Sequence, residues 1–413
     1  MDLLKKTHEY IKSGWEKSRV AKESAVDPDM YVAPFTPPCI NGPFRALFYW
    51  DTYFTDKGLI ADGLTDYAKD NADNLLFAAD SYGFVPNALT KHLLKFCSQP
   101  PYLHYTVADI YEQTGDEAWL KKAYGALKKE YSFWQTERIT PVGLNRYYHH
   151  HLPQKELCDY YDYVAENRLK IPKDISEKEK ALLAHDFIAV AESGMDWTPR
   201  FIKGGANFIP IDLNCNLYAM EKRLAEWAKK FEPDKEKDFA AAAEKRKELL
   251  KKYCLAKDGL YYDYDYVTNE RSIIKCSAQF FPFMAGICSD KRAFNELKTL
   301  LGAYGVFCTE KVTDNGVTYQ WGYPNSWAPD NFLAYEAAKR CGLKEESRKI
   351  AAKYLRTVSE AFSKTGRLWE KYDGENGGVA VVNEYEVPEM LGWTGGVFEF
   401  FYKRTVLTDK EDI

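Results

Sequence analysis

The sequence predicts an all-α protein, folded as a helical bundle or a closed helical toroid. Three observations carry this. Ten or more stretches of the 413-residue chain repeat their apolar residues at helical spacing. Most of them stop at Gly or Pro, the usual punctuation of helix C-termini. Strand-like alternation is confined to Gly259–Tyr266 and Val379–Val382, short enough to be hairpin arms inside loops. No fixed period recurs, which argues against a solenoid.

Residues 1–25 read as an amphipathic helix, with Leu4, Tyr10, Ile11 and Trp15 as its apolar positions. Residues 26–46 hold five of the 18 prolines and read as extended or looped. They lead into residues 47–54, an apolar run with one carboxylate, Asp51, in its middle. Helical spacing then covers 64–81, ended by Gly83; 101–114, ended by Gly115; and 117–137, followed by Pro141. Residues 213–230 and 235–252 flank Pro233. Segments 277–287, 291–303, 327–341, 345–363 and 394–405 complete the series. The expected organisation is a single domain over 1–413, with 1–40 as N-terminal helix and Pro-rich lead-in.

A hydrophobic content of 46% excludes a disordered chain. Aromatic residues are abundant (30 Tyr, 23 Phe and 10 Trp), and their faces suit a flat, ring-shaped ligand. A net charge of −5 with no basic stripe argues against nucleic acid. The nine cysteines are scattered and form no Cys-x-x-Cys pair, which leaves a zinc site unsupported and suits a reducing compartment. The N-terminus shows no apolar signal-peptide core. No apolar run approaches the roughly 18 residues that cross a membrane. A soluble cytoplasmic protein is expected, without cofactor, membrane or nucleic-acid partner, and monomer is the expected state.

The connections are long, aromatic and polar: 26–46, 84–101, 139–163, 191–212, 304–326 and 366–392. Loops of that length in a compact domain usually serve function. Gathered at one end of a toroid, they would form a deep aromatic funnel. Asp196 stands out among them, between Met195 and Trp197 and behind Ser193-Gly194. Apolar neighbours raise a carboxyl pKa, which is what a general acid needs near neutral pH; the plainer reading is a turn aspartate capping the next segment. Elsewhere aromatics again mix with amides and carboxylates, a combination that suits a carbohydrate.

Several of these stretches resemble the trehalase family of glycoside hydrolases. Phe44–Phe54 looks like the family's first signature and Gln320–Pro329 like its second. Between them lie Pro86-Asn87, Ser98–Pro101, Glu192–Asp196, Asp212–Asn214 and Tyr261–Asp265. After them come Glu370–Tyr372, Glu384-Tyr385 and Gly392–Val397, so order and spacing hold from about residue 40 to 400.

The resemblance implies an (α/α)6 toroid with its active-site loops at one end, and an inverting mechanism. Such a mechanism needs one protonated and one ionised carboxyl about 6.5–9.5 Å apart. The family's general acid falls on Asp196 and its general base on Glu384, with Glu386 and Glu389 as neighbouring candidates. Substrate contacts fall on Phe44, Trp50, Asp51, Asn87, Gln99, Gly194, Trp321 and Trp393. Arg200 matches a family arginine or braces the loop. The implied activity is release of glucose from a small α-glucoside, with trehalose as the family default.

The departures bear on the leaving group. The family carries arginine before the first signature and before Ser98, where this chain has Pro43 and Cys97. Its Gly-Pro-Arg-Pro-Glu-Ser loop has no copy, the matching region reading Tyr147–Glu156, and an aspartate of the second signature is Gly322. Residues 195–201 also lean toward a sister family that includes processing α-glucosidase and hydrolases of glucosylglycerate and mannosylglycerate. A non-trehalose substrate and a catalytically silent sugar-binding toroid are the alternatives. His149, His150 and His151 point in different directions as neighbours and make no metal site; a role at the substrate rim or in solvent is expected.

Overall fold

The computed structural model describes residues 2–201, 204–312, 319–379 and 387–407. Among them are fourteen α-helices. The first five are α1 (Asp2–Ser18), α2 (Tyr49–Ala61), α3 (Thr65–Tyr82), α4 (Leu103–Thr114) and α5 (Glu117–Glu137). Then come α6 (Gln154–Val164), α7 (Glu177–Glu192), α8 (Ile211–Phe231), α9 (Glu236–Tyr253) and α10 (Phe281–Met284). The last are α11 (Lys291–Glu296), α12 (Ala328–Arg340), α13 (Lys344–Thr365) and α14 (Gly392–Tyr402).

Six of these close a ring. α2 packs on α4, α4 on α8, α8 on α10, α10 on α12, α12 on α14, and α14 returns to α2. An outer layer covers them: α3 lies against α2 and α4, α5 against α4 and α8, α9 against α8, α13 against α12 and α14, and α1 against α14. Phe294 of α11 packs on Phe280 and Phe283 of the α10 segment. This is the (α/α)6 toroid. Burial follows from the two layers, because an inner helix has no solvent face. All 11 residues of α14 are buried, against 3 of 18 in α9.

The seam between α14 and α2 depends on two glycines. A Cβ at Gly396 would lie 2.1 Å from the Phe54 carbonyl oxygen, and one at Gly58 would lie 2.4 Å from the Gly396 Cα. The two backbones touch there, and only glycine permits it.

Several sequence expectations are corrected. The reading places no helix between 138 and 212, yet α6 and α7 form a hairpin there. It carries a small core of its own, with Leu152, Leu157 and Tyr161 facing Ala184 and Ile188. The apolar stripe of α6 is sparse among charged and tyrosine residues, which hid it. The start of α7 is marked by a Ser176/Glu179 capping box that the sequence does display. The run 47–54 enters a helix at Tyr49, and the first helix ends at Ser18. Segment 277–287 is a 3-10 turn followed by the four-residue α10.

Strands are minor. β1 (Phe208–Ile209), β2 (Tyr264–Asp265) and β3 (Glu270–Arg271) form one antiparallel sheet. β4 (Asn325–Trp327) pairs with β5 (Lys371–Asp373), and Val379 bridges Tyr372. No helix among the described residues is long and apolar enough to cross a membrane. All nine cysteines are unpaired.

Candidate active site

The segments leading into the inner helices meet at one end of the ring. The first turn of α2 supplies Trp50 and Asp51. Its first N–H groups, which have no partner within the helix, are held by the segment before α4: the Gln99 side-chain oxygen accepts from the Trp50 amide at 3.1 Å, and the Asn87 carbonyl accepts from the Tyr49 amide at 3.0 Å. A carboxylate in the first turn also sits well with the helix dipole. The segment before α8 supplies Gly194 and Asp196, the segment before α12 supplies Gln320 and Trp321, and Trp393 opens α14.

Four tryptophans form one cluster. Trp321 stacks on Trp327 at 4.0 Å with the rings 3° from parallel. Trp50 lies 5.4 Å from Trp321, and Trp393 stands edge-on to both Trp50 and Trp321 at 6.1 Å. The Trp393 indole donates to the Glu370 carbonyl at 3.1 Å. Gly194 holds φ +71°, and a Cβ there would come within 2.7 Å of the Trp50 ring. Glycine therefore lets the loop lie on Trp50 and carry Asp196 into the cavity. Trp197 follows at φ +53°, a conformation that costs a bulky residue about 1–3 kcal/mol and that clusters at functional sites.

One cavity collects the residues singled out in the sequence. Phe44, Trp50, Asp51, Asn87 and Gln99 line it, together with Gly194, Asp196, Trp321 and Trp393. Phe48, Gln320, Met390 and Glu370 line it too, and the sequence reading assigned them no role. Glu384, Glu386, Asn383 and Tyr385 lie outside the described residues. The third base candidate, Glu389, is turned away: its carboxylate accepts from the Tyr10 hydroxyl at 2.9 Å and lies 3.8 Å from Arg367.

Three carboxyls face this cavity, and their charges conflict. Burial and the nearby Glu370 push Asp51 up to about 8. Burial also pushes Asp196 up to about 6, with Arg168 opposing and Glu370 adding to the rise. The Arg168 guanidinium lies 3.7 Å from the Asp196 carboxylate, whose side chain keeps 38% of its surface open to the cavity. Lys371 lies 3.4 Å from Glu370, both buried, and burial pulls the ammonium pKa down.

Arg168 has no marker in the sequence, since it sits on a π-helical turn (Ala165–Leu169) at the tip of the hairpin. Arg200 braces the loop: it is fully buried and donates to Asp263 at 2.6 and 2.7 Å, and also to Asp212. Glu192 is likewise structural, gripped by Arg138 through two bonds of 2.9 Å and by the amides of Ser98 and Tyr148. The three histidines diverge. His149 meets His185 at 2.6 Å, His150 packs on Phe84 and Phe133, and His151 reaches Glu137 at 3.4 Å.

The sequence profile of the trehalase family matches residues 2–405. A periplasmic trehalase of Xanthomonas oryzae is 31% identical over 391 residues, spanning 90% of this chain and 67% of its own length. A periplasmic trehalase of Pseudomonas aeruginosa is 29% identical over 401 residues, spanning 90% and 70%. Among solved structures, a neutral trehalase of Saccharomyces cerevisiae aligns with a TM-score of 0.75 at 24% identity, over 90% of this chain and 73% of its own. A mannosylglycerate hydrolase of Thermus thermophilus aligns with a TM-score of 0.60 at 16% identity, over 90% and 96%. These two likenesses speak to the fold alone. The match along nearly the whole chain, together with the toroid and the residues gathered in its mouth, places this protein in the trehalase family, the inverting glycoside hydrolases of that name.

Proposed function

We propose that this enzyme hydrolyses trehalose and related small α-glucosides, with Asp196 as general acid and Glu384 as general base. The observation that supports it best is the position of Asp196: a carboxyl raised to about 6, at the edge of a cavity walled by Trp50, Trp321 and Trp393. The glucosyl ring lies against these indoles. Asn87, Gln99 and Gln320 offer amides to its hydroxyls, and Asp51 offers a carboxyl.

Protonated Asp196 gives its proton to the glycosidic oxygen as the bond to the anomeric carbon breaks. Glu384 takes a proton from the water that attacks the opposite face, so the products are β-glucose and the free alcohol. Both carboxyls return to their starting states by exchange with solvent. Glu370 nearby adds to the rise of the Asp196 pKa.

The test is direct. Asp196→Asn and Glu384→Gln are each expected to lower kcat on trehalose by at least about a thousandfold. Proton NMR of the first-formed sugar is expected to show the β-anomer from the α-glucoside. Near-normal turnover by both variants, or retention of configuration, would overturn the assignment. We further infer a single-domain protein of the cytoplasm; the nine unpaired cysteines support the reducing compartment. Acid-quenched alkylation of protein taken from its own cells is expected to count nine free thiols; native disulfides would contradict it.

A further inference from the structure

Away from the sugar cavity, three side chains from both ends of the chain converge. His8 comes from α1, Asp62 is the residue that follows α2, and Glu399 lies in α14. One donor atom from each, an imidazole nitrogen and two carboxylate oxygens, lies within 4.8 Å of the others. The sugar cavity uses the first turns of α2 and α14. Asp62 stands at the opposite end of α2, about 18 Å along the helix from Trp50.

The Asp62 and Glu399 side chains are fully buried, and His8 keeps 15% of its side-chain surface. Buried carboxyls this close need a proton or a cation to offset their charge. The groups at hand reach three of the four oxygens. His8 Nδ1 lies 2.7 Å from Glu399 Oε2, the Trp15 indole donates to Asp62 Oδ2 at 2.9 Å, and Lys403 Nζ lies 3.1 Å from Asp62 Oδ1. Neither Glu399 Oε1 nor Asp62 Oδ1 receives a hydrogen bond, although both atoms are buried.

We propose that His8, Asp62 and Glu399 bind a divalent transition-metal ion of the Zn2+ class, which fastens α1 to the seam between α2 and α14. Donors held at about 2.0–2.2 Å from one ion lie at most about 4.4 Å apart, so the set needs to close by only a few tenths of an ångström. The ion gives the two oxygens that lack a hydrogen bond their partner. The indole of Trp15 holds the other oxygen of Asp62 and so orients this ligand, the usual part of an outer hydrogen bond at a metal site. Lys403, with 27% of its side chain exposed, is free to turn its ammonium toward water as the ion enters. Binding releases the protons that the imidazole and the carboxyl pair hold. The donor set selects the ion. An imidazole nitrogen with two carboxylates, and water in the fourth place beside the partly open His8, suits Zn2+ and its neighbours; Ca2+ takes roughly six to eight oxygens.

The experiment titrates the enzyme, stripped with EDTA, with Zn2+ and Co2+ as probes. Calorimetry is expected to count one ion per chain, and Tm is expected to rise by about 3 °C or more at a hundredfold excess over Kd. Co2+ is expected to give the visible absorption of a metal bound by nitrogen and oxygen, with no thiolate band. Mg2+ and Ca2+ are expected to move Tm by less than about 1 °C. His8→Phe keeps a ring to stack on Tyr402 and removes the nitrogen donor, and Glu399→Gln keeps the shape of the side chain and removes its charge. Each variant is compared with itself, with and without the ion, so a change in its own stability leaves the reading intact. Both are expected to lose the Tm gain and the Co2+ absorption. No gain in the wild type, a gain that either variant keeps, a cobalt–thiolate band, or a larger response to Ca2+ than to Zn2+ would each overturn the proposal.

Discussion

Asp196 is set by opposed neighbours. Burial and Glu370 raise its pKa to about 6, and Arg168 at 3.7 Å restrains the rise. A general acid works protonated, so kcat/KM is expected to fall as pH rises through that value. Removing the like charge with Glu370→Gln lowers the Asp196 pKa and moves this limb to lower pH. Removing the cation with Arg168→Gln moves it to higher pH. A pH profile of kcat/KM for the two variants checks both signs; shifts in the same direction would mean that the limb belongs to another group. Sequence exposed one side of this balance. Asp196 drew notice as a carboxylate between Met195 and Trp197, but its role came from the family resemblance. Arg168 was not, because only the folded hairpin brings it to Asp196. Glu370 stood within a recognised motif, yet its approach to Asp51 and Asp196 depends on β5 pairing with β4.

At the scale of elements, the hairpin and the α2–α14 contact show two kinds of missing information. The hairpin had a local signal in its capping box, obscured by an apolar stripe too sparse to read as a helix. The helix contact had no signal of its partner. Gly58 is unremarkable along the chain and Gly396 stands in a motif that does not say what it touches, yet both are indispensable in space, because each occupies the other helix's backbone contact. Gly396→Ala is expected to destabilise the protein by about 1–3 kcal/mol or more through overpacking. Gly125→Ala is the contrasting case: Gly125 lies within α5, and its Cβ would meet nothing within 4 Å. That change is expected to stabilise by about 0.5–1 kcal/mol, through better helix propensity. Urea melts of the two variants check the opposite signs, and a Gly396→Ala protein as stable as wild type would show that the seam yields.

Across the whole molecule, the ends of the chain lock the ring. The His8 ring of α1 meets the Glu399 carboxylate of α14 at 2.7 Å and stacks on Tyr402 at 4.7 Å. Asp62, just past α2, accepts from the Trp15 indole at 2.9 Å and lies 3.1 Å from Lys403. Burial, helped by Asp62, raises Glu399 to about 7 from its ordinary 4.5. Between these values the folded protein holds more protons than the unfolded chain, so stability falls as pH rises across that window. The loss is complete above the folded pKa, and below the ordinary value the group has no effect. Glu399→Gln is expected to flatten this slope, measured as the difference in unfolding free energy between about pH 5 and about pH 7.5. An unchanged slope would place its origin elsewhere.

The sequence by itself determined the fold class and the helices with strong apolar periodicity, and its family resemblance pointed to residues most of which the fold gathers around one cavity. These are properties of residue type and short-range spacing, and they survive in one dimension. Tertiary structure decided the closure of the ring and the charges that face Asp196. Each of those joins residues distant along the chain, and such contacts follow from packing geometry, which local spacing does not encode.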